Sequence, residues 1–300
     1  MSDAVAGLVP ILATPFGPDG RLDRDSLARL VDFQLWCGVD GVATFGMASE
    51  GFALTADERA EMLRIIAGRV PSGMPVVAGV NATSTVTAVE QAVAARDAGA
   101  TVLMVLPPFL VKPSAAQLVD FYGTVAGTSG LPVIVQDAPN ATGVQLPVAT
   151  IVELGKLDGV GSTKIEAQPT APKVGAVVDA VAGELAVLGG QNALFALEEY
   201  GRGAVGTMPA CEFADALATV LADRAAERYA EARAGFGRLL PLIRFGMQGP
   251  IAWAVHKHVL LRRGVIADPA VRSPAAPLDP VSRRDLDAVL DDLALPPFAS

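Results

Sequence analysis

Eight short apolar runs, each followed by a stretch with helical spacing, leave this chain very few ways to fold. The runs cover residues 8–13, 41–45, 75–80, 101–106, 132–137, 160–165, 185–188 and 204–207. Helical stretches follow them at 26–37, from Thr55 onward, and at 83–98, 114–126, 147–154, 171–181, 192–200 and 212–221. In the first helix Leu27, Leu30, Val31, Phe33 and Leu35 recur with helical spacing, and Gly38 is the closing glycine. In the second, Thr55 with Glu58 three residues on reads as a capping box. Strand and helix alternating eight times predict an α/β chain folded as a (β/α)8 TIM barrel. A doubly wound open sheet competes. It normally carries a glycine-rich phosphate loop after its first strand, and Thr14-Pro15-Phe16-Gly17 is not one. Past residue 222 the pattern changes: 223–240, 250–263 and 285–293 read as helices with no strands between them, joined by a proline-rich connector at 272–280. The expected division is a barrel over 1–222 and a helical extension over 223–300.

Composition narrows the function. At 300 residues and 51% hydrophobic, the chain can bury a large core. Its net charge of -9 argues against nucleic acid and anionic membranes as partners. Cys37 and Cys211 lie far apart, which suggests buried thiols in a reducing compartment. His256 and His258, the two histidines, stand two apart on a predicted helix and do not face one another. No cluster has metal-ligand spacing, so no metal and no cofactor are expected. There is no leader-like N-terminus and no apolar run of membrane length, so a cytoplasmic protein is expected.

One lysine breaks the pattern. Of five lysines, Lys164 alone falls at the end of a predicted strand, in Gly161-Ser162-Thr163-Lys164-Ile165-Glu166. Strands buried on both faces are normally continuous apolar runs. Active sites of such barrels lie at the C-terminal ends of the strands. Side chains at i and i+2 of a strand share a face, so Glu166 should look into the same space as Lys164. An amine freed of its proton attacks a carbonyl and forms a Schiff base. A buried Lys–Glu ion pair is the structural alternative, and the barrel context favours chemistry. Gln136 and Asp137 end the fifth strand on opposite faces, so only one can look inward. Gly46-Met47-Ala48-Ser49-Glu50-Gly51 follows the second strand, where small residues let backbone N–H groups approach an anion.

These motifs together resemble the dihydrodipicolinate synthase / N-acetylneuraminate lyase superfamily over essentially the whole chain. Thr14-Pro15-Phe16, Gly46 to Glu50, Pro75 to Val80, Lys112-Pro113 and Gly201 to Thr207 match its motifs, and Lys164 falls on its Schiff-base lysine. The resemblance implies a barrel with a C-terminal helical domain, a homotetramer (or dimer), no metal, and a 2-keto acid substrate. Four departures stand out. Gln136 replaces the strand-five tyrosine that relays protons in synthases and lyases. Met47 and Ala48 replace the hydroxyl pair after Gly46. Leu110 replaces a tyrosine, and Ala141 the arginine that grips aspartate semialdehyde.

The retained set looks like the sugar-acid dehydratase branch, such as 2-keto-3-deoxyarabonate dehydratase. In that reading Lys164 carries the imine at C2. Glu166 serves as base at C3 and acid at C4 in turn, and Gln136 orients water or the hydroxyl. The substrate carboxylate rests on the N–H groups of Ala48 and Ser49, beside Met47, and Val205 lines the wall beside the imine. The alternatives are a pyruvate-dependent aldolase of the same family and a catalytically silent barrel that binds 2-keto acids.

Overall fold

The computed structural model of the protein describes residues 4–299. Eight parallel strands form one sheet: β1 (Gly7–Leu8), β2 (Val42–Thr44), β3 (Val76–Val80), β4 (Val102–Val105), β5 (Val133–Asp137), β6 (Val160–Ile165), β7 (Ala186–Gly189) and β8 (Gly206–Thr207). They pair in the order β1-β8-β7-β6-β5-β4-β3-β2. The remaining gap, between β1 and β2, is closed beyond the named strands. There the Leu12 N–H donates to the Ala43 carbonyl (2.8 Å), and the Ala43 N–H to the Pro10 carbonyl (2.9 Å). The first strand is shorter than its apolar run because Pro10 has no N–H to give to a ladder. Ile11 resumes the pairing as a bridge to both Ala43 and Ala210. The fold is a (β/α)8 TIM barrel with C-terminal helices.

Two cores follow from closure. Inside the barrel, Val9, Ile11, Val77, Met104, Ile134 and Leu188 fill the axis. Outside, a larger core lies between strands and helices. Both strand faces are therefore apolar, which is why the sequence shows runs rather than alternation. The surrounding helices begin as their caps dictate. Thr55 and Glu58 exchange both capping-box hydrogen bonds, and Ser114 and Gln117 form a second box. Two stretches depart from expectation. Residues 192–200 hold a 3-10 turn (Gln191–Ala193) and a short helix (Ala196–Tyr200) instead of one helix. The last helix spans Pro280–Leu293, starting earlier than 285, because Asp279 caps it and Pro280 takes its first turn.

The helix Ala214–Ala225 runs through the division expected after residue 222 and packs along the next helix, Tyr229–Phe245. The following helix, Ala252–Arg262, is anchored to the barrel by charge. Its Lys257 is buried, paired with buried Glu50 from the loop after β2, and donates to the Ala270 carbonyl (2.6 Å). Burial pushes this ammonium down to about 8 against the pull of Glu50. The Glu50 carboxylate also accepts from the backbone N–H of Arg272 (3.0 Å). Lys257 and Arg272 each lie over the Phe16 ring, at 4.2 and 4.1 Å from its centre. Hydrogen bonds from Arg272 hold the Glu58 carboxyl down to about 2. The helical extension is thus tied to the rim where β1 and β2 end.

Closure also depends on Gly206. A Cβ there would stand 2.7 Å from the Gly7 carbonyl oxygen and 2.7 Å from Leu188 Cδ2. Gly206→Ala should therefore push β8 away from β1 and cost about 1–3 kcal/mol, the usual range for overpacking. Urea denaturation of the purified variant checks it; an unchanged midpoint would contradict the closure geometry.

Candidate active site

Lys164 lies inside the barrel because of its register. β5 and β6 slip by one residue between Val133 and Ile134, so that Gln136 stands beside Lys164, and Lys164 beside Leu188. Neighbouring residues in register on parallel strands share a face, so Gln136, Lys164 and Leu188 look inward together. Asp137 faces outward and pairs with Lys173 (2.6 Å). The Lys164 ammonium reaches the Glu166 carboxylate at 2.7 Å, both side chains being nearly shut off from solvent. Gln136 Nε2 lies 3.4 and 3.5 Å from the two Glu166 oxygens, and its own Oε1 has no protein partner among the described residues. One carboxylate is thus shared by an amine and an amide at the C-terminal end of the barrel.

Above them opens a cavity of about 230 Å³. Lys164 and Glu166 form part of its floor and wall, with Ile11, Met208, Met47 and Ala48 around them. Its far side comes from the helical extension through Trp253 and His256, and from the loop after β7 through Gln191 and Asn192. That loop is unusual: Gln191, Asn192 and Ala193 all have positive φ. Non-glycine residues in this region carry strain that surrounding contacts must hold. Gln191 is held by donating to the Glu166 carbonyl (2.9 Å), and Asn192 by accepting from the Ala210 N–H (2.8 Å).

Five of the seven residues expected at the site come together: Lys164, Glu166 and Gln136 as described, and Met47 and Ala48 at the cavity wall. Two do not. Ser49 is buried with both polar groups engaged. Its hydroxyl donates to the Leu12 carbonyl, and its N–H to the Gly46 carbonyl (3.0 Å), closing a 3-10 turn. It supports the loop and offers nothing to a substrate. Val205 lies at the other end of the barrel, 45% exposed, in a surface hollow with Val5 and Val160. The apolar run 204–207 begins before the ladder does, so the residues of this segment that reach the cavity are Met208, Pro209 and Ala210.

The model of the dihydrodipicolinate synthetase family matches residues 4–293. The chain belongs to this family. It is an enzyme, a lyase of the Schiff-base aldolase type found in that family. Among curated relatives, L-2-keto-3-deoxyarabonate dehydratase of Azospirillum brasilense is 32% identical over 96% of both chains. A 4-hydroxy-tetrahydrodipicolinate synthase of Xanthomonas axonopodis is 36% identical over 63% of this chain and 62% of its own. Among solved structures, a dihydrodipicolinate synthase from Rhodopseudomonas palustris superposes with a TM-score of 0.90 at 29% identity, covering 96% of this chain and 98% of the other.

Sequence reasoning missed Gln191, Asn192, Trp253 and His256 at the cavity. The pair Gly189-Gly190 at the end of β7 is the signal that was available. A Cβ on Gly190 would stand 2.4 Å from Glu166 Cγ, and one on Gly189 only 1.9 Å from Glu199 Oε2. Two carboxylates therefore flank one strand end, each occupying the space of a missing side chain. Glu199 is fully buried on the helix behind β7, and neither of its oxygens has a hydrogen-bond partner among the described residues. Burial pushes its carboxyl up to about 7 against the pull of the nearby Thr170 hydroxyl and Lys164, with Glu198 and Glu166 adding to the rise.

This has a measurable sign. Between the ordinary glutamate value of 4.5 and about 7, the unfolded chain has released this proton while the folded protein keeps it. The folded state binds more protons there, so stability falls as pH rises through that window. Glu199→Gln removes the dependence. The variant's advantage over the parent should be absent at pH 4 and reach about 3 kcal/mol by pH 8. Chemical denaturation at the two pH values measures it, and equal differences at both would mean that Glu199 is ionised in the folded protein.

Proposed function

We propose that this lyase dehydrates a 2-keto-3-deoxy sugar acid through an imine on Lys164. The observation that carries the reading is the shared carboxylate: Glu166 lies 2.7 Å from Lys164 Nζ and within reach of Gln136, with no hydroxyl relay at strand five. The amine attacks the C2 carbonyl, water leaves, and a protonated imine forms. The imine draws electrons from C3 and makes its protons acidic. Glu166 takes one, leaving an enamine whose electrons form the C3–C4 double bond as the C4 hydroxyl is protonated and departs as water. Gln136 orients the Glu166 carboxylate but cannot itself accept or lose a proton at neutral pH. The wall at Ala48 receives the substrate carboxylate, with Met47 beside it. The dehydratase relative, similar over nearly the full length of both chains, supports this assignment. The same reading makes the enzyme a cytoplasmic homotetramer or dimer, and Leu110 and Val111, adjacent and more than 75% exposed, suit burial against a second copy.

The relatives named as synthases favour a second reading, aldol addition of pyruvate through the same imine. Ala141 and Gln136 argue against it. Ala141 is an exposed methyl in the short helix after β5, with no charge to hold a second carboxylate.

Borohydride added with pyruvate should attach one pyruvyl group to the parent and none to Lys164→Ala. Glu166→Gln should still trap pyruvate while turning over sugar acid at least about a hundredfold more slowly. Near-normal turnover by that variant would make Glu166 a structural partner of Lys164. Products from a panel of 2-keto-3-deoxy acids, identified by mass spectrometry, separate dehydration from retro-aldol cleavage: the first gives a single product lighter by water, the second gives pyruvate. The enzyme should also fail to rescue a diaminopimelate auxotroph at normal expression, and rescue would establish the synthase reading instead.

A further inference from the structure

We propose that His256, held by Glu212, is a second acid–base group of this cavity, working at the far end of the substrate from Lys164. The inference rests on the dehydratase reading and divides its proton work between two walls. Lys164 and Glu166 rise from β6 and its end, while His256 comes down from the helix Ala252–Arg262 into the same cavity. Its Nδ1 lies 2.7 Å from Glu212 Oε1. Glu212 is fully buried, its second oxygen has no hydrogen-bond partner among the described residues, and its backbone carbonyl is gripped by Arg263 (2.8 Å). Its carboxylate fixes the orientation of the ring through Nδ1. The ring lines the cavity, and its Nε2, unlike Nδ1, has no protein partner among the described residues.

Two comparisons separate this from a histidine that only packs. His258, two residues on and on the opposite face of the helix, spends its Nε2 on Asp287 (2.8 Å) in a network with Arg262. It lines no cavity with Lys164. Room for the His256 ring is also kept open by Gly246: a Cβ there would lie 2.7 Å from Cε1 and 3.2 Å from Nδ1.

The chemistry supplies the need. Once Glu166 holds the C3 proton, breaking the C4–O bond requires an acid on the oxygen. The imidazolium gives its Nε2 proton to that hydroxyl. The C4–O electron pair stays on oxygen and water departs, while the enamine pair forms the C3–C4 double bond and restores the imine. In a substrate with a C5 hydroxyl, the neutral imidazole then takes a proton from C5. That C–H pair forms a C4–C5 double bond bearing the hydroxyl, an enol, and pushes the conjugated electrons back to the nitrogen. The histidine is recharged, and Glu166 returns its proton to C3. A 2-keto-3-deoxy acid with adjacent C4 and C5 hydroxyls is the substrate class that uses both groups fully.

The test separates imine chemistry from elimination. His256→Asn keeps a donor toward Glu212, and His256→Gln places a neutral donor nearer the cavity; neither can transfer a proton as imidazole does. Three readouts apply to each variant and to the parent: borohydride trapping of pyruvate, deuterium uptake at the pyruvate methyl followed by NMR in heavy water, and kcat and KM on the sugar-acid panel. The first two need Lys164 and Glu166 alone, and should be unchanged in both variants. Turnover should fall about a hundredfold in kcat in both. His256→Gln should hold KM at the parent value without restoring kcat. Turnover near the parent's in either variant overturns the inference. So does a kcat restored by His256→Gln, which would make the residue a hydrogen-bonding contact only. Loss of trapping and exchange in both variants overturns it too, because His256 would then be holding the imine site together. The dehydratase reading fails in a different place: a parent that exchanges deuterium yet dehydrates no acid in the panel refutes it, and this inference with it, before any variant is compared.

Discussion

A charge shut inside a closed barrel keeps its place only if its partner is shut in with it. The Lys164–Glu166 pair meets that condition within a single strand and its end, with amine and carboxylate two residues apart and 2.7 Å from each other. Two other buried carboxylates meet their lysines by the same rule, at greater distance from the axis. Asp137 and Lys173 pair between the sheet and its helices, and Glu50 and Lys257 pair between the barrel rim and the helical extension. Removing one member of such a pair costs more than the pair itself contributes, because the charge left behind has lost both water and partner. The axial pair differs in having an open cavity above it. It alone can exchange its partner for a substrate.

The barrel and the C-terminal helices make different contributions. Parallel strands fix the height and direction of Lys164 and Gln136 through register alone, with no need for loops. The helices close the cavity from the other side and depend on tertiary contacts for their position. Lys257, Arg263 and Arg272 supply those contacts, each buried or half-buried and each paired with a carboxylate of the barrel or of the helix Ala214–Ala225. Trp253 and His256 reach the cavity because Lys257, on the same helix, is pinned to Glu50.

The strands and the lysine were legible because each depends on local pattern. A continuous apolar run means a strand covered on both faces, and a charge within it has few explanations. The i, i+2 relation of Lys164 to Glu166 needs no more than the pleat. Val205 was misread because the run 204–207 starts below the ladder; only the pairing of Gly206 with Gly7 reveals where the strand begins. Ser49 was misread because a hydroxyl in a loop carries no sign of where its partner lies, and Leu12 is 37 residues away. His256 was set aside on its distance from His258. The group that matters to it is Glu212, 44 residues earlier and on another element. Pairings across that span are created by the fold and leave no periodicity to read.

Beside the Glu50 pair, the clasp between the helical extension and the loop after β2 uses the main chain at residue 47: Trp253 donates to the carbonyl of Met47 (2.6 Å). The loop is held to the β1 segment by Thr14, which donates to the carbonyl of Ser49, and by the Ser49 hydroxyl, which donates to that of Leu12. The Met47 side chain takes no part and stays half-exposed at the cavity mouth. Position 47 is therefore free to drift in a lineage: a thioether stands here where the resemblance puts a hydroxyl, and the carbonyl beneath serves Trp253 in either case. Selection on what the mouth admits can act at that one side chain without loosening what holds the two halves of the molecule together.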